Sequence, residues 1–246
     1  VSEGEYVALF LAERMIQQCQ GTSFAGDLAR LFEKVTDLLT EPISINLQHL
    51  RESVSLRQCS ADLGEAARFD VLHRAIQRGR QLELVYWTAS RDETCRRVVD
   101  PYHLASLDGD WYLVAYCHLR EKVRLFAPGR IRELRETGES FERPREFKIN
   151  EYLDVGFRKM RGDGPLQTVR LRFTPSAARY VREREWHPTQ KLRQHADGSF
   201  TLTFRVSHLL EVRRWVMSFG ADCVVLAPQE LKDEIINEIR RMLEKQ

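Results

Sequence analysis

The most constraining feature of this sequence is a change of hydrophobic period at Gly79. Before this glycine, apolar residues following Asp70 recur at the 3.6-residue spacing of a helix. After it, apolar and polar residues alternate, beginning at Leu82–Trp87, as in strands with one buried face. About five such stretches with tight connections follow in roughly 75 residues, which favours a small β-barrel.

The connections between these predicted strands carry turn residues. Asp108-Gly109-Asp110 is a strong hairpin signal between the second and third strands. Pro101 is expected to break the second strand. The third strand is predicted over Trp111–Cys117 and the fourth over Val123–Phe126, and a last short strand begins at Ile131.

The last hundred residues alternate strands with helices in a different order. Thr174 is predicted to cap one helix and Ser207 a second, and Pro228 to begin a final helix. Asp197-Gly198 forms a turn between two strands. The order β-α-β-β-α-β is that of a ferredoxin-like domain, so the chain is predicted to be an α+β protein.

The first 66 residues are predicted to be a helical linker. One helix contains Tyr6 to Ile16, and a second has an apolar stripe formed by Leu28, Leu31, Phe32, Val35, Leu38 and Leu39. Such a stripe needs an apolar partner, and a homodimer supplies one. Residues 1–67 contain 5 basic and 10 acidic side chains, whereas residues 146–246 contain 18 and 14, so an anionic partner is expected at the later part.

Composition restricts the class of protein. Five cysteines without a C-x-x-C pair argue against a disulfide framework or a zinc ribbon, and favour a cytoplasmic location. No apolar run approaches the roughly 20 residues of a membrane-spanning helix. The chain begins at Val1, so we expect that an upstream part has been removed.

Gly109-Asp110-Trp111-Tyr112-Leu113 in the predicted barrel contains a Trp-Tyr-Leu triplet, and Arg124-Leu125-Phe126 is followed by Arg130-Ile131. These two motifs resemble the WYL domain of bacterial transcriptional regulators. The resemblance implies a Sm-like or SH3-like WYL barrel over 67–145, a linker over 146–165 and the usual C-terminal extension over 166–246. It also implies a helix-turn-helix head, which is not visible in the acidic residues 1–67 and is expected outside the chain.

The second motif departs from the family pattern R-x-F-R-x-D-R-I. Ala127 and Gly129 replace an arginine and an aspartate, and Pro128 would be unusual inside a strand. A pocket built on this motif is therefore expected to contain fewer charges than in relatives that match the pattern.

Alternation divides the third strand between two faces. Trp111 and Leu113 are expected in the core, whereas an outward Tyr112 is able to stack on a planar ligand. With the resemblance in view, we predict an anion-binding pocket for a short nucleic acid or a nucleotide. The predicted ligand-binding residues are Tyr86, His103, Tyr112, Arg124, Phe126 and Arg130.

Enzymatic signals are weak. The sequence has no phosphate-cradling glycine loop, no H-E-x-x-H and no G-x-S-x-G, and Cys117 and His118 should point to opposite strand faces. We predict no enzyme activity, no cofactor and no metal. The leading hypothesis is the sensing and dimerising region of a transcription regulator that contacts DNA through the absent head. A ligand-free dimerisation module and a stand-alone Sm-like nucleic-acid-binding protein are the alternatives.

Overall fold

The computed structural model describes residues 26–27, 29–31, 34 and 63–246, with side chains from residue 68 onwards in the last range. The few described residues between 26 and 34 are helical, in agreement with the second predicted helix. The rest of that helix's apolar stripe, and the predicted helix from Tyr6 to Ile16, lie outside the described residues. The chain divides into two compact units, the first ending at Arg145 and the second beginning at Glu146.

From residue 63 onwards, the described part of the first unit contains one α-helix and a five-stranded antiparallel sheet. Its helix and strands are α1 (Leu63–Arg78), β1 (Arg80–Thr88), β2 (Glu93–Leu107), β3 (Asp110–Cys117), β4 (Lys122–Phe126) and β5 (Ile131–Ser140). The strand order in the sheet is β4-β3-β2-β1-β5. The change of period at Gly79 therefore marks the end of the helix and the start of the sheet, as predicted.

One face of this sheet, called here the inner face, carries the core of the first unit. Alternate strand residues form it, because successive side chains of a strand point to opposite faces. The buried side chains are Leu82, Leu84, Tyr86, Val99, Leu113, Ala115, Cys117, Phe126 and Ile131, joined by Leu72 and Ala75 of α1. Burying each large apolar side chain contributes roughly 1.5–3 kcal/mol relative to leaving it exposed.

The predicted closed barrel is not formed, because β4 and β5 are the two edges of the sheet and do not pair. β4 has only five residues, and Pro128 begins a 3-10 helix (Pro128–Arg130) directly after it. The end of β4 nevertheless reaches β1 through side chains. The Ala127 N–H donates to Tyr86 Oη at 3.2 Å, and the ring of Phe126 lies edge-to-face with Tyr86 at 5.1 Å between centroids.

The two prolines in this unit differ from expectation. β2 continues through Pro101 and accommodates it with a bulge between Pro101 and His103. Pro128 lies in the 3-10 helix and not in a strand, so it removes no ladder hydrogen bond. The hairpin at Asp108-Gly109 is confirmed, with φ angles of 52° and 85° that suit its two central residues.

The second unit has the predicted order of strands and helices. They are β6 (Gln167–Phe173), α3 (Pro175–Val181), β7 (Lys191–Gln194), β8 (Phe200–Val206), α4 (Leu210–Met217), β9 (Cys223–Ala227) and α5 (Gln229–Glu244), preceded by a short α2 (Ile149–Leu153). The antiparallel sheet has the order β7-β8-β6-β9.

Two predictions about helix capping have different outcomes. The Thr174 side chain accepts from the Ala177 N–H and caps α3, as predicted. Ser207 does not cap α4, whose N-cap residue is Leu209. The Ser207 hydroxyl instead donates to the Val155 carbonyl at 3.0 Å, so it holds the segment before β6.

The core of the second unit is rich in aromatic rings. Phe157 lies within the segment predicted as a linker, yet it is fully buried, with ring centroids 5.3 Å from Phe204 and 5.2 Å from Trp215. Phe173 stacks on Phe200 at 5.2 Å. Residues 146–165 therefore contribute to the second core.

Candidate ligand-binding site

The six residues predicted to bind a ligand do not all lie on one face of the first sheet. Arg124 and Phe126 lie on the inner face, since they pair directly with the inward residues Ala115 and Leu113. Tyr86 also lies on the inner face. The other predicted residues are His103 and Tyr112, on the opposite face, and Arg130, which is exposed at the end of the 3-10 helix.

Tyr86 and Phe126 are core residues. Both are buried, and the Tyr86 hydroxyl is engaged by the Ala127 N–H. The two rings pack against each other, and they form the apolar surface of the inner face at the end of β4.

Three cations extend this face beyond the apolar core. Arg97 lies opposite Leu84, Lys122 opposite Cys117, and Arg124 opposite Ala115, which places all three on the inner face. We call Arg97, Lys122 and Arg124 the basic cluster. They come from β2 and β4, which flank β3, so the sheet register positions cations on both sides of Cys117.

Arg97 has an unusual environment for an arginine. The residue is half-buried, and its Nη1 donates to Cys117 Sγ at 3.8 Å and its Nη2 to Thr88 Oγ1 at 3.3 Å. Its Nε is buried and has no hydrogen-bond partner within the described part of the chain. Both partners are neutral, and no carboxylate of the described residues pairs with this partly desolvated guanidinium, which is costly on its own.

Such an arrangement is suited chemically to an anion. A guanidinium presents several N–H donors in a planar fork that matches phosphate and carboxylate oxygens. Attraction between charges is stronger beside an apolar core than in bulk water. An anion near Arg97 would satisfy its Nε, for which the described residues supply no partner.

The outer face around His103 has different chemistry. Burial, together with the positive charge of Arg143, lowers the pKa of His103. Nearer the other end of β3, His118 Nε2 lies 2.8 Å from Asp100 Oδ1, and Gln81 donates to the same oxygen at 3.0 Å. This polar group connects β1, β2 and the end of β3.

Arg97 and Lys122 were not among the residues predicted from the sequence. A signal for Arg97 was present, because alternation in β2 places Cys95, Arg97 and Val99 on one face, and an arginine at an inward position is unusual. Its proximity to Cys117 depends on strand register, which the sequence pattern alone does not specify.

The described residues contain no metal-ligating group of three or more His, Cys, Asp or Glu side chains. The side chains of Cys117 and His118 lie on opposite faces of the sheet, as strand alternation predicted. Cys117 contacts Arg97 on the inner face, and His118 contacts Asp100 on the outer face. Burial raises the pKa of the Cys223 thiol to about 12, which disfavours the reactive thiolate. Among the described helices, none combines the length and apolar character needed to cross a membrane.

Comparison with known proteins supports the resemblance. The chain matches the family model of the WYL domain over residues 67–136 and that of the WCX domain over residues 165–243. It is 33% identical over 161 residues to the protein PafC of Mycobacterium tuberculosis, covering 65% of this chain and 49% of PafC. The chain thus spans about half the length of this curated relative.

Two further similarities extend over more of the chain. An uncharacterized HTH-type transcriptional regulator of Bacillus subtilis, YobV, is 25% identical over 219 residues, covering 86% of this chain and 66% of YobV. The crystal structure of a CRISPR Cas-related protein is 16% identical with a TM-score of 0.52, covering 74% of this chain and 51% of that one, which supports the fold alone. With its WYL domain followed by a WCX domain, the chain belongs to the WYL-domain family of transcriptional regulators.

Proposed function

We propose that this chain is the effector-sensing and dimerisation region of a bacterial transcription regulator. The first unit would bind an anionic effector, such as a nucleotide or a short single-stranded nucleic acid, on its inner face. The observation that carries this proposal is the half-buried Arg97, whose Nε has no hydrogen-bond partner among the residues that the structure describes and whose guanidinium contacts two neutral groups. Arg124 and Lys122 supply further positive charge on the same face.

The effector would act on a part of the regulator beyond this chain. YobV is named as an HTH-type regulator, and the chain spans 66% of its length, which leaves room for a DNA-binding head. Effector binding would change the arrangement of two subunits, and the helical linker would pass this change to the head. The role is that of a non-enzymatic cytoplasmic sensor.

The homodimer is the second part of this proposal. Of the predicted apolar stripe, the described Leu31 is exposed, as expected for a side chain that a second subunit would cover. Helix-turn-helix regulators commonly read two half-sites as dimers. A monomeric mass by light scattering at micromolar concentration would contradict the homodimer.

The same proposal includes a Sm-like barrel for the first unit and a ferredoxin-like domain for the second. The order β4-β3-β2-β1-β5 suits an opened version of the Sm-like barrel, with β4 reaching β1 through Tyr86. The order β7-β8-β6-β9 with two intervening helices suits a ferredoxin-like domain.

The test uses the whole chain and a panel of nucleoside phosphates and short oligonucleotides of about four nucleotides, which suit a compact site. Binding is measured by thermal stabilisation, since a ligand at about 100 times its Kd adds roughly 2.7 kcal/mol of stability. Arg97→Gln and Arg124→Ala should each weaken binding by about 1–3 kcal/mol. Arg130→Ala tests the predicted role of the 3-10 helix in the same way, and Arg96→Gln, on the outer face, is the matched control.

The outcomes separate the hypotheses. Selective loss in the Arg97 and Arg124 variants, with folding intact, supports the sensing site. If all variants bind as the unmodified chain does, the ligand lies elsewhere. If no member of the panel stabilises the protein, the ligand-free dimerisation module becomes the better account.

A further inference from the structure

The exposed face of the second sheet carries five cations: Arg170 and Arg172 on β6, Lys191 and Arg193 on β7, and Arg205 on β8. We call these five residues the basic face. Their side chains share one side because the alternate residues of β6 and β8 are buried in the core. This surface belongs to the second unit and is separate from the basic cluster of the first.

Strand register arranges these cations in rows. Lys191 and Arg170 lie on either side of Thr203, and Arg193 and Arg172 lie on either side of Thr201. Successive rows are roughly 6.6–6.8 Å apart along the strands, and the flanking cations within a row are separated by about 9.6 Å, two strand spacings. The Thr203 and Thr201 hydroxyls lie between the cations, and Thr201 Oγ1 is also in contact with His195 Nε2 at 2.8 Å.

Little within the unit neutralises this grid. Asp197 pairs with Arg172 at 2.8 Å, and this is the basic face's one ion pair in the described part of the chain. The outer face of the first sheet shows how a solvated face balances its charge, since Glu83 pairs with both Arg96 at 3.5 Å and Arg135 at 2.6 Å. On the basic face, threonines lie between the cations, whereas on the outer face of the first sheet the carboxylate of Glu83 lies between two arginines.

Apolar side chains border the cations on one side. Val224 and Leu226 of β9 are 53% and 45% exposed and lie on the same side of the sheet, because Val225 between them is buried, as is Cys223 before them. A single strand of nucleic acid presents both phosphates and unpaired bases, whereas a duplex presents mainly phosphates to a flat surface. The combination of a cationic grid with an apolar border fits the single strand better.

We propose that the basic face binds single-stranded nucleic acid, with the phosphates on the arginine and threonine rows and the bases toward Val224 and Leu226. None of the nine strand residues in the grid and its apolar border is aromatic, so base stacking contributes little and recognition is independent of sequence. Binding is therefore governed by phosphate neutralisation and falls steeply with salt.

The experiment measures fluorescence anisotropy of a labelled oligonucleotide of about 15 thymidines, a length near the upper site size of small single-strand-binding domains. The test variant is Arg170→Thr with Arg205→Thr, because both arginines are exposed and threonine is favoured in strands. The control is Arg179→Gln with Arg240→Gln, which removes the same charge from exposed helix positions. Arg97→Gln serves as the variant of the first unit.

The test variant should bind about tenfold more weakly at low salt, and its salt slope should be smaller by about 1.4, from two lost phosphate contacts. The helix control should stay within about twofold of the unmodified chain, whereas Arg97→Gln reports on any oligonucleotide bound by the first unit. Arg170→Lys with Arg205→Lys should retain binding within about threefold, because a phosphate contact requires the charge.

Three results would overturn the proposal. Equal binding by the test variant and the unmodified chain would remove the basic face from the interaction. Loss of binding in Arg97→Gln alone would assign the oligonucleotide to the first unit, and would leave the sensing proposal standing. Equal competition by a duplex or by polyglutamate would show a general polyanion surface in place of a single-strand site.

Discussion

Replacing Arg97 with methionine should make the first unit more stable while removing its ligand affinity. The guanidinium forms one weak hydrogen bond to sulfur at 3.8 Å and one to Thr88 at 3.3 Å, and these two bonds contribute at most about 0.5–1.5 kcal/mol each. Against them stands a buried Nε–H that finds no partner in the described part of the chain, which costs about 1–3 kcal/mol, together with the desolvation of the charge.

Methionine keeps the unbranched apolar stem and removes both costs. We therefore expect Arg97→Met to raise the free energy of unfolding by about 0.5–2 kcal/mol. For a domain of this size, 1 kcal/mol corresponds to a rise in Tm of about 4–8 °C. A gain in stability that accompanies loss of binding is typical of residues kept for function.

Urea unfolding followed by tryptophan fluorescence measures this effect, with Trp87 and Trp111 reporting on the first unit. Arg96→Met is the matched control, because Arg96 is the exposed neighbour on the opposite face and its loss should change stability by less than about 0.5 kcal/mol. If Arg97→Met lowers stability by more than about 1 kcal/mol, the guanidinium supports the fold and the reasoning is refuted.

Three further substitutions test other parts of the structure. Phe157→Ala should cost about 3–5 kcal/mol of stability in urea unfolding, because its fully buried ring packs on Phe204 and Trp215, and a loss below about 1 kcal/mol would contradict its place in the core. Burial lowers the pKa of His187, so the unfolded chain binds the proton more readily and stability should fall as the pH decreases below about 6.5. His187→Gln should reduce this pH dependence, and an unchanged dependence would assign it to other groups. Trp111→Ala should lower Tm by an amount equivalent to about 1–2 kcal/mol, because its half-buried ring meets Phe69 edge-to-face at 4.9 Å, and an unchanged Tm would show that this contact is not needed.

Local sequence patterns predicted most helices and strands, because the hydrophobic period of each element is visible in neighbouring residues. They failed where a long-range contact decides the structure. Ser207 has the residue type of a helix cap, but its hydroxyl donates to Val155, which lies 52 positions away. Pro101 looked like a strand break, yet a bulge absorbs it within β2.

The candidate site shows the same division. The motif correctly drew attention to β3 and β4, but motif residues that share a sequence neighbourhood lie on two faces of the sheet. Arg97 lies outside the motif, and its contact with Cys117 depends on a register between β2 and β3 that is fixed by the whole sheet. Charge alone did not distinguish it from the solvated arginine at position 96.

The attachment of β4 gives the inner face a means of responding to a ligand. This strand is hydrogen-bonded to β3 alone, and beyond its end the Tyr86 hydroxyl holds the Ala127 N–H. Its amides should therefore exchange with deuterium sooner than those of β2, which has neighbours on both sides. A ligand that required Lys122 and Arg124 in place, at about 100 times its Kd, would slow exchange by local opening about a hundredfold. Ligand binding would then make the edge strand β4 more ordered, and the core beneath it would not be displaced.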